Sequence, residues 1–341
     1  MVRFFIKIFF FFPLLLFSQI DNTSFNALNL HSSSRIISLG GELISVIDDD
    51  VSLAANTPSL LNELMHNQVS FNFVDYVSDV NLISAYSASI FPNDFIVFYG
   101  VDAINYGEFN HTNDLGDLIS TFSANQQLLT LGVSKKIHKN ITLGSNIKLL
   151  NSSLEKYHAM SISSNISATY YFKEKDFSAT FLFKNIGKPL KSYTSEIEEL
   201  PFEIQIGISK YLDHLPFRYS LVFHHLNTFD ISNDFYPETI YDPSTNSLIT
   251  KEEILFKKLL RHVIIGGELN PFRKNFFLRA GFNFQNREDL NPSSFFSMTG
   301  FTTGFGFAIK EIQINFSRRS LHGPSSINSF SIITNLSNFG L

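Results

Sequence analysis

Asp48, Asp49 and Asp50 stand side by side in LGGELISVIDDDVSLAANTPSLL, residues 39–61, and Asn56 and Pro58 follow in an Asn-Thr-Pro turn. Three carboxylates in a row could hold a divalent cation or supply an acid pair. A calcium loop of the EF-hand type needs alternating oxygen ligands and a glycine at its sharp turn, and this run has neither. An acid pair for hydrolysis needs carboxylates on both sides of a substrate, whereas neighbours in one strand or turn point in different directions. The run is therefore expected to be architectural. His224 and His225, as neighbours on one strand, are expected to face opposite sides and not to chelate together. GFTTGFGFAI, residues 300–309, reads as a strand whose Gly304 and Gly306 lie opposite Phe305 and Phe307. With no helix after it, this segment offers no phosphate cradle, and wall curvature or close approach of another segment explains its glycines better. No Ser-His-acid set with a nucleophile elbow occurs. These readings predict a chain that is not an enzyme and carries no cofactor and no metal ion.

The elements that must position these residues follow from composition and period. The chain has 341 residues, a formal charge of −5, 38 Phe, 12 Tyr, no Trp and no Cys. An acidic balance without a basic stretch excludes a nucleic-acid binder, which must displace counterions from phosphate. Without cysteine there is neither a disulfide framework nor a thiolate ligand. At the N-terminus, Arg3 and Lys7 precede an apolar run ending near Phe17. The run is too short to span a membrane as a helix, so residues 1–18 are expected to be a secretory signal peptide.

From Gln68 onward, segment after segment alternates apolar and polar residues. Phe177, Ala179, Phe181 and Phe183 oppose Ser178, Thr180 and Lys184, and Phe276, Leu278, Ala280, Phe282 and Phe284 oppose Arg279, Asn283 and Gln285. Period two marks half-buried strands. Fourteen are expected between 68 and 336, among them 94–105, 122–136, 216–228, 259–270 and 275–286. Their links alternate between tight turns and long loops, as in outer-membrane barrels, where the long loops face outward. A soluble β-sandwich would have shorter strands and no such asymmetry. The expected fold is an all-β membrane protein: an antiparallel outer-membrane β-barrel of about 14 strands, residues 68–341, with an N-terminal luminal hatch, residues 19–67.

The hatch does not alternate. Thr57 is expected to cap a helix that starts at Pro58. Asp48, Asp49 and Asp50 are expected to anchor the hatch by pairing with inward-pointing cations of the wall such as Arg279 or Lys184. In the long connection 229–258, the segment KEEILFKKLL places Ile254, Leu255, Phe256 and Leu259 among charges, as a short amphipathic helix would. It is the candidate surface for partner docking.

The ordered series NLHSSSRIISLGG, IDDDVSLAANTPSLL, HNQVSFNFVDYVSDVN, NYGEF, LGDLISTFSANQQLLTLGVSKKI, LPFEIQIGISKYLDHLPFRYSLVFHHL and GGELNPF resembles the PorQ family of the Bacteroidota type IX secretion system. That family is similar to PorV and, more remotely, to FadL-type barrels of fourteen strands. The resemblance covers nearly the whole chain. It implies a non-enzymatic scaffold in the outer membrane, in contact with its lipid. Such a scaffold belongs to a cell-surface attachment complex with a PorZ-like surface protein, a PorU-like sortase and a PorV-like barrel. Two other roles fit the same pattern: a FadL-like transporter of hydrophobic molecules and a PorV-like cargo shuttle. An apolar route through the wall beside the hatch would speak for transport.

Overall fold

A computed structural model describes residues 23–195, 198–232, 239–242, 247–250, 254–271, 275–290, 297–321 and 325–340. The expected signal peptide, residues 1–18, lies outside them.

Fourteen strands close into one antiparallel barrel. In chain order they are β1 (Gln68–Asp75), β2 (Asn81–Phe91), β3 (Phe95–Thr112), β4 (Leu118–His138), β5 (Ile141–Leu154), β6 (Tyr157–Phe172), β7 (Phe177–Lys191), β8 (Glu203–Tyr211) and β9 (Phe217–Phe223). A small hairpin, β10 (Thr239–Asp242) and β11 (Ser247–Thr250), stands apart from the wall. The wall continues with β12 (Val263–Leu269), β13 (Phe276–Asn283), β14 (Phe301–Ile309), β15 (Ile312–Ser320) and β16 (Ser326–Asn335). Closure is made by β1 and β16, paired from Gln68 with Asn335 to Asp75 with Asn328. Among the described residues no helix is long and apolar enough to cross a membrane, and a closed sheet is the other way to satisfy every backbone group in hydrocarbon.

The burial pattern is inverted relative to a soluble protein. Phe71, Ile147 and Phe330 are exposed on the outer face, while Lys148, Lys184, Asn165 and Arg279 are buried on the inner one. Alternation along each strand therefore separates a hydrocarbon-facing side from a polar lumen.

The expected strands appear in their expected order, with instructive differences at their ends. β3 and β4 run on to Thr112 and back from Leu118, farther than expected. Beyond the membrane band both faces of these strands are exposed, so alternation fades and the sequence signal with it. The wall near 259 begins at Val263, because Leu255–Arg261 is a helix, and Phe284–Leu290 continues β13 as a helix too. Strand lengths are uneven: β4 has 21 residues and β9 has 7. β7 pairs with β8 only from Phe177 to Lys184, so its last residues, from Asn185 on, have β6 as their wall neighbour.

The hatch is a string of short elements: a helix at Ser34–Ser38 and 3-10 turns at Asn26–Asn29, Val51–Ala55, Pro58–Leu60 and Glu63–Met65. The helix expected after Thr57 is split into two such turns. Pro58 does open the first, but Thr57 makes no capping hydrogen bond, and Asn62 caps the second through Leu64 N–H. Asp50 caps the turn Val51–Ala55, accepting from Ser52 N–H at 3.0 Å. Ile36, Leu39, Leu43, Val46, Leu53 and Leu60 give the hatch a small core of its own. Val51, Ala54, Leu61 and Met65 then pack on Tyr86, Ala88, Ile96 and Phe98 of the wall. Two wall glycines let the hatch come close: a Cβ at Gly144 would lie 2.3 Å from the Pro58 backbone, and one at Gly304 would lie 2.5 Å from Ser38 Cβ.

Candidate functional sites in the lumen and at the long-loop rim

One rung of the wall carries charge. Arg218 on β9, Glu268 on β12 and Arg279 on β13 are cross-strand partners in register. Glu268 accepts from Arg279 Nε at 2.6 Å and lies 3.4 Å from Arg218 Nη1. Arg35 of the hatch helix completes the set with two hydrogen bonds to Glu268, both of 3.0 Å. It also reaches Asp48 at 2.6 Å and Asp50 at 3.5 Å, and Arg218 reaches Asp48 at 2.9 Å. Three guanidinium groups thus face three carboxylates across the hatch–wall seam. Burial favours a neutral Asp48, but Arg35 and Arg218 overcome this and hold its carboxyl well below the usual range. At Asp50 burial prevails and the carboxyl is raised. Asp49 is exposed.

The expected wall partners of the aspartates are corrected here. The cation that meets Asp48 is Arg218, and Arg279 acts at one remove through Glu268. Lys184 does bind the hatch, but through Glu42 at 2.8 Å, and it lies 3.6 Å from Glu203. Glu42 also meets His31 Nε2 at 2.9 Å. Asn56 sits in the same seam, 2.9 Å from His31 Nδ1, accepting from Lys148 at 2.5 Å and offering its carbonyl to Asn165. Pro58 rests on the wall at Gly144, and the next residue, Ser59, donates its N–H to Ser167.

The reading of His224 and His225 is also corrected. β9 ends at Phe223 and His225 takes a left-handed backbone, φ 53°. The chain turns back there, so both rings fall on one side, Nδ1 to Nδ1 at 2.6 Å, with Glu203 Oε1 3.3 Å from His225. His262, unnoticed in the sequence, packs beside them and contacts the carbonyls of His224 and Phe229. Burial, and then His225, push the His224 imidazole down to about 3.

Ile254, Leu255, Phe256 and Leu259 are all exposed at the helix Leu255–Arg261. This helix lies against Phe284–Leu290 through Lys257–Glu288 and Arg261–Asp289 ion pairs.

One cavity lies on the outside of the wall and one within the seam. A hollow of about 400 Å³ lies on the outer, hydrocarbon-facing side of β1 to β4, lined mainly by Val69, Ala85, Tyr99, Val101, Leu129 and Leu131, of which Tyr99, Val101, Leu129 and Leu131 are exposed. Behind it, the place of a side chain at Gly100 is taken by the Phe98 and Tyr86 rings. The Tyr86 hydroxyl bridges Asp102 of the wall and Ser32 of the hatch, the latter at 2.8 Å. A second cavity, about 210 Å³, lies between hatch and wall beside Leu30, Ile37, Tyr76, Arg319 and Ile327.

This closed barrel with a plugged, polar lumen is an outer-membrane β-barrel. More narrowly, its fold is that of the FadL-type barrels. The toluene transporter TodX of Pseudomonas putida matches over 93% of this chain and 98% of its own, with a TM-score of 0.50 at 11% identity. The monoaromatic hydrocarbon channel CymD covers 90% and 98%, with a TM-score of 0.51 at 12% identity. A Pseudomonas aeruginosa FadL homologue gives 89% and 98%, 0.51 and 10%. At such identity the likeness is one of fold. No family model and no curated protein matches the sequence.

Proposed function

We propose that this chain is an outer-membrane channel for small hydrophobic molecules, with the hatch as its closing element and the long loops facing outward. The observation that carries the reading is the apolar hollow on the outer face of β1 to β4, separated from the lumen by the Phe98 and Tyr86 rings that take the place of a side chain at Gly100. Hydrogen bonding between β2 and β3 is continuous there, from Asn81 to Phe91, so the route is shut in this state. Tyr86 ties that wall segment to Ser32, which couples opening to hatch movement. TodX and CymD, which share the fold, are described as a toluene transporter and a monoaromatic hydrocarbon channel, and monoaromatic compounds are the substrate class to try first. Cells producing the barrel should take up labelled toluene faster than cells producing a Tyr86→Trp variant with a blocked wall. Uptake no faster than in cells without the barrel overturns the reading.

A second reading, scaffolding within a type IX secretion apparatus, is favoured by the exposed apolar residues Ile254, Leu255, Phe256 and Leu259, which suit docking of PorZ-like, PorU-like or PorV-like partners. Deleting residues 242–250, or changing Leu255 and Phe256 to Glu, should then remove such partners from a pull-down while the barrel stays intact. Equal recovery of the partners would sink it.

A further inference from the structure

We propose that Glu203, His224 and His225 form a binding site for a divalent transition-metal ion, zinc first, at the root of the longest loop. Their donor atoms come within 4.8 Å of one another. Two imidazoles and a carboxylate are the ligand types that zinc takes, leaving a fourth position for water. Donors around a tetrahedral zinc stand roughly 3.3 Å apart, given metal–ligand bonds of about 2.0–2.1 Å. His225 Nδ1 and Glu203 Oε1 already stand at 3.3 Å. The two histidine Nδ1 atoms, at 2.6 Å, need to part by less than an ångström, which a small rotation of the exposed ring supplies.

The surroundings are those of a prepared site. Glu203 and His224 are buried, at 3% and 2% exposure, while the His225 side chain is 35% exposed, so the open position faces the rim. Glu203 Oε1 is oriented by Gln205 Nε2 at 2.7 Å and by His225 N–H at 3.1 Å. His262 holds the His224 carbonyl at 2.8 Å. Such outer contacts fix the ligands of metal sites. The nearest cation, Lys184, lies 3.6 Å from Glu203 Oε2 but 2.8 Å from Glu42, which neutralises it.

The ion would clasp the first residue of β8 to the chain leaving β9, beside the stretch of β7 that β8 leaves unpaired. It would thus fix the root of the connection that carries the hairpin β10–β11 and the exposed helix. Its role there is structural.

The test is zinc titration of the full chain in detergent, with cobalt(II) absorption as a report of tetrahedral nitrogen–oxygen ligation. His225→Asn is the principal variant, because Asn tolerates the left-handed backbone and the position is partly exposed. The wild type should bind about one equivalent in the micromolar range or tighter. His225→Asn should bind at least roughly tenfold more weakly, and His158→Asn, at an exposed strand position, should bind as the wild type does. Glu203→Gln should match His225→Asn if it folds, and the principal variant decides alone if it does not. A wild type that binds no zinc in this range, or a His225→Asn variant of equal affinity, overturns the proposal.

Discussion

Arg35 of the hatch and Glu268 of β12 are joined by a pair of hydrogen bonds, Nε to Oε2 and Nη2 to Oε1, each 3.0 Å long. This fork-to-fork contact is the strongest geometry a guanidinium and a carboxylate can adopt. Glu268 is held in turn by Arg279 and Arg218. One carboxylate therefore pairs with cations from the plug and from two neighbouring strands.

Glu268→Gln should be more harmful than its near-identical shape suggests. It leaves Arg35, Arg218 and Arg279 with two carboxylates, Asp48 and Asp50, in place of three. Breaking a buried pair from one side costs about 3–5 kcal/mol. The expected result is a hatch that proteases cut in folded barrels, measured by limited digestion with heat-modified gel mobility as the control for barrel closure. Digestion at the wild-type rate would remove Glu268 from the account.

The three adjacent aspartates should separate when each is changed to Asn. Asp48→Asn loses ion pairs to Arg35 and Arg218 and should loosen the hatch most. Asp50→Asn keeps an acceptor for Ser52 N–H and should cost less. Asp49→Asn, at an exposed position, should change hatch digestion by no more than the error. Equal effects at all three positions would mean that total charge, not pairing, matters.

Acid should release the hatch, and the sign follows from Asp48. Its folded carboxyl is depressed, so the contribution is complete above the unfolded value of about 3.9 and is lost as pH falls from there toward the folded value. The Asp48 share of hatch protection should therefore be flat from neutral pH down to roughly pH 4 and decline below it, while Asp50, whose carboxyl is raised, acts in the opposite sense. In Asp48→Asn the decline should be shallower. A loss of protection that begins near neutrality would remove Asp48 from the account.

Gly144→Ala should disturb the hatch sterically. The new Cβ would lie 2.3 Å from the Pro58 carbonyl carbon, and because that atom is backbone it cannot rotate away. Overpacking of this sort costs about 1–3 kcal/mol. Gly132→Ala, whose Cβ would meet Phe98 at 3.3 Å, is the milder comparison. Thermal melts followed by hatch digestion should rank the two, with Gly144→Ala the lower.

The wall was legible in the sequence because lipid and lumen impose opposite solvents on successive residues. Phe181 and Thr180 declare their faces without reference to any neighbour. Register was not legible, because it is set by closure of the ring. Nothing in the sequence around Arg218, Glu268 and Arg279 says that they share a rung, although the uncharged, mainly apolar face opposite each charge marks it as inward. The choice of Arg279 and Lys184 as partners for the aspartates failed on that point. His224 and His225 failed for a different reason: the strand was carried on to 228, whereas it stops at Phe223 and the next turn reverses one ring. Strands β3 and β4 were read short because alternation stops where both sides meet water.

That overshoot has a consequence of its own. At about 3.4 Å per residue, β4 is roughly 70 Å long and β9 roughly 24 Å, against an apolar band about 25 Å tall. Tilted by about 45°, the longer strand rises roughly 50 Å and climbs well clear of the bilayer, while the shorter one rises roughly 17 Å and falls short of the full band. The molecule therefore has a back and a front in the membrane plane: a β-ribbon parapet on one side, stiffened at its tip by Phe109 stacked on Phe122 at 5.4 Å, and on the other short strands followed by the connection that carries the hairpin β10–β11 and the helix Leu255–Arg261. A large body arriving at the loop side meets no rotationally uniform ring. One side offers paired backbone and the other a long connection, so strand length alone makes its orientations about the barrel axis unequal.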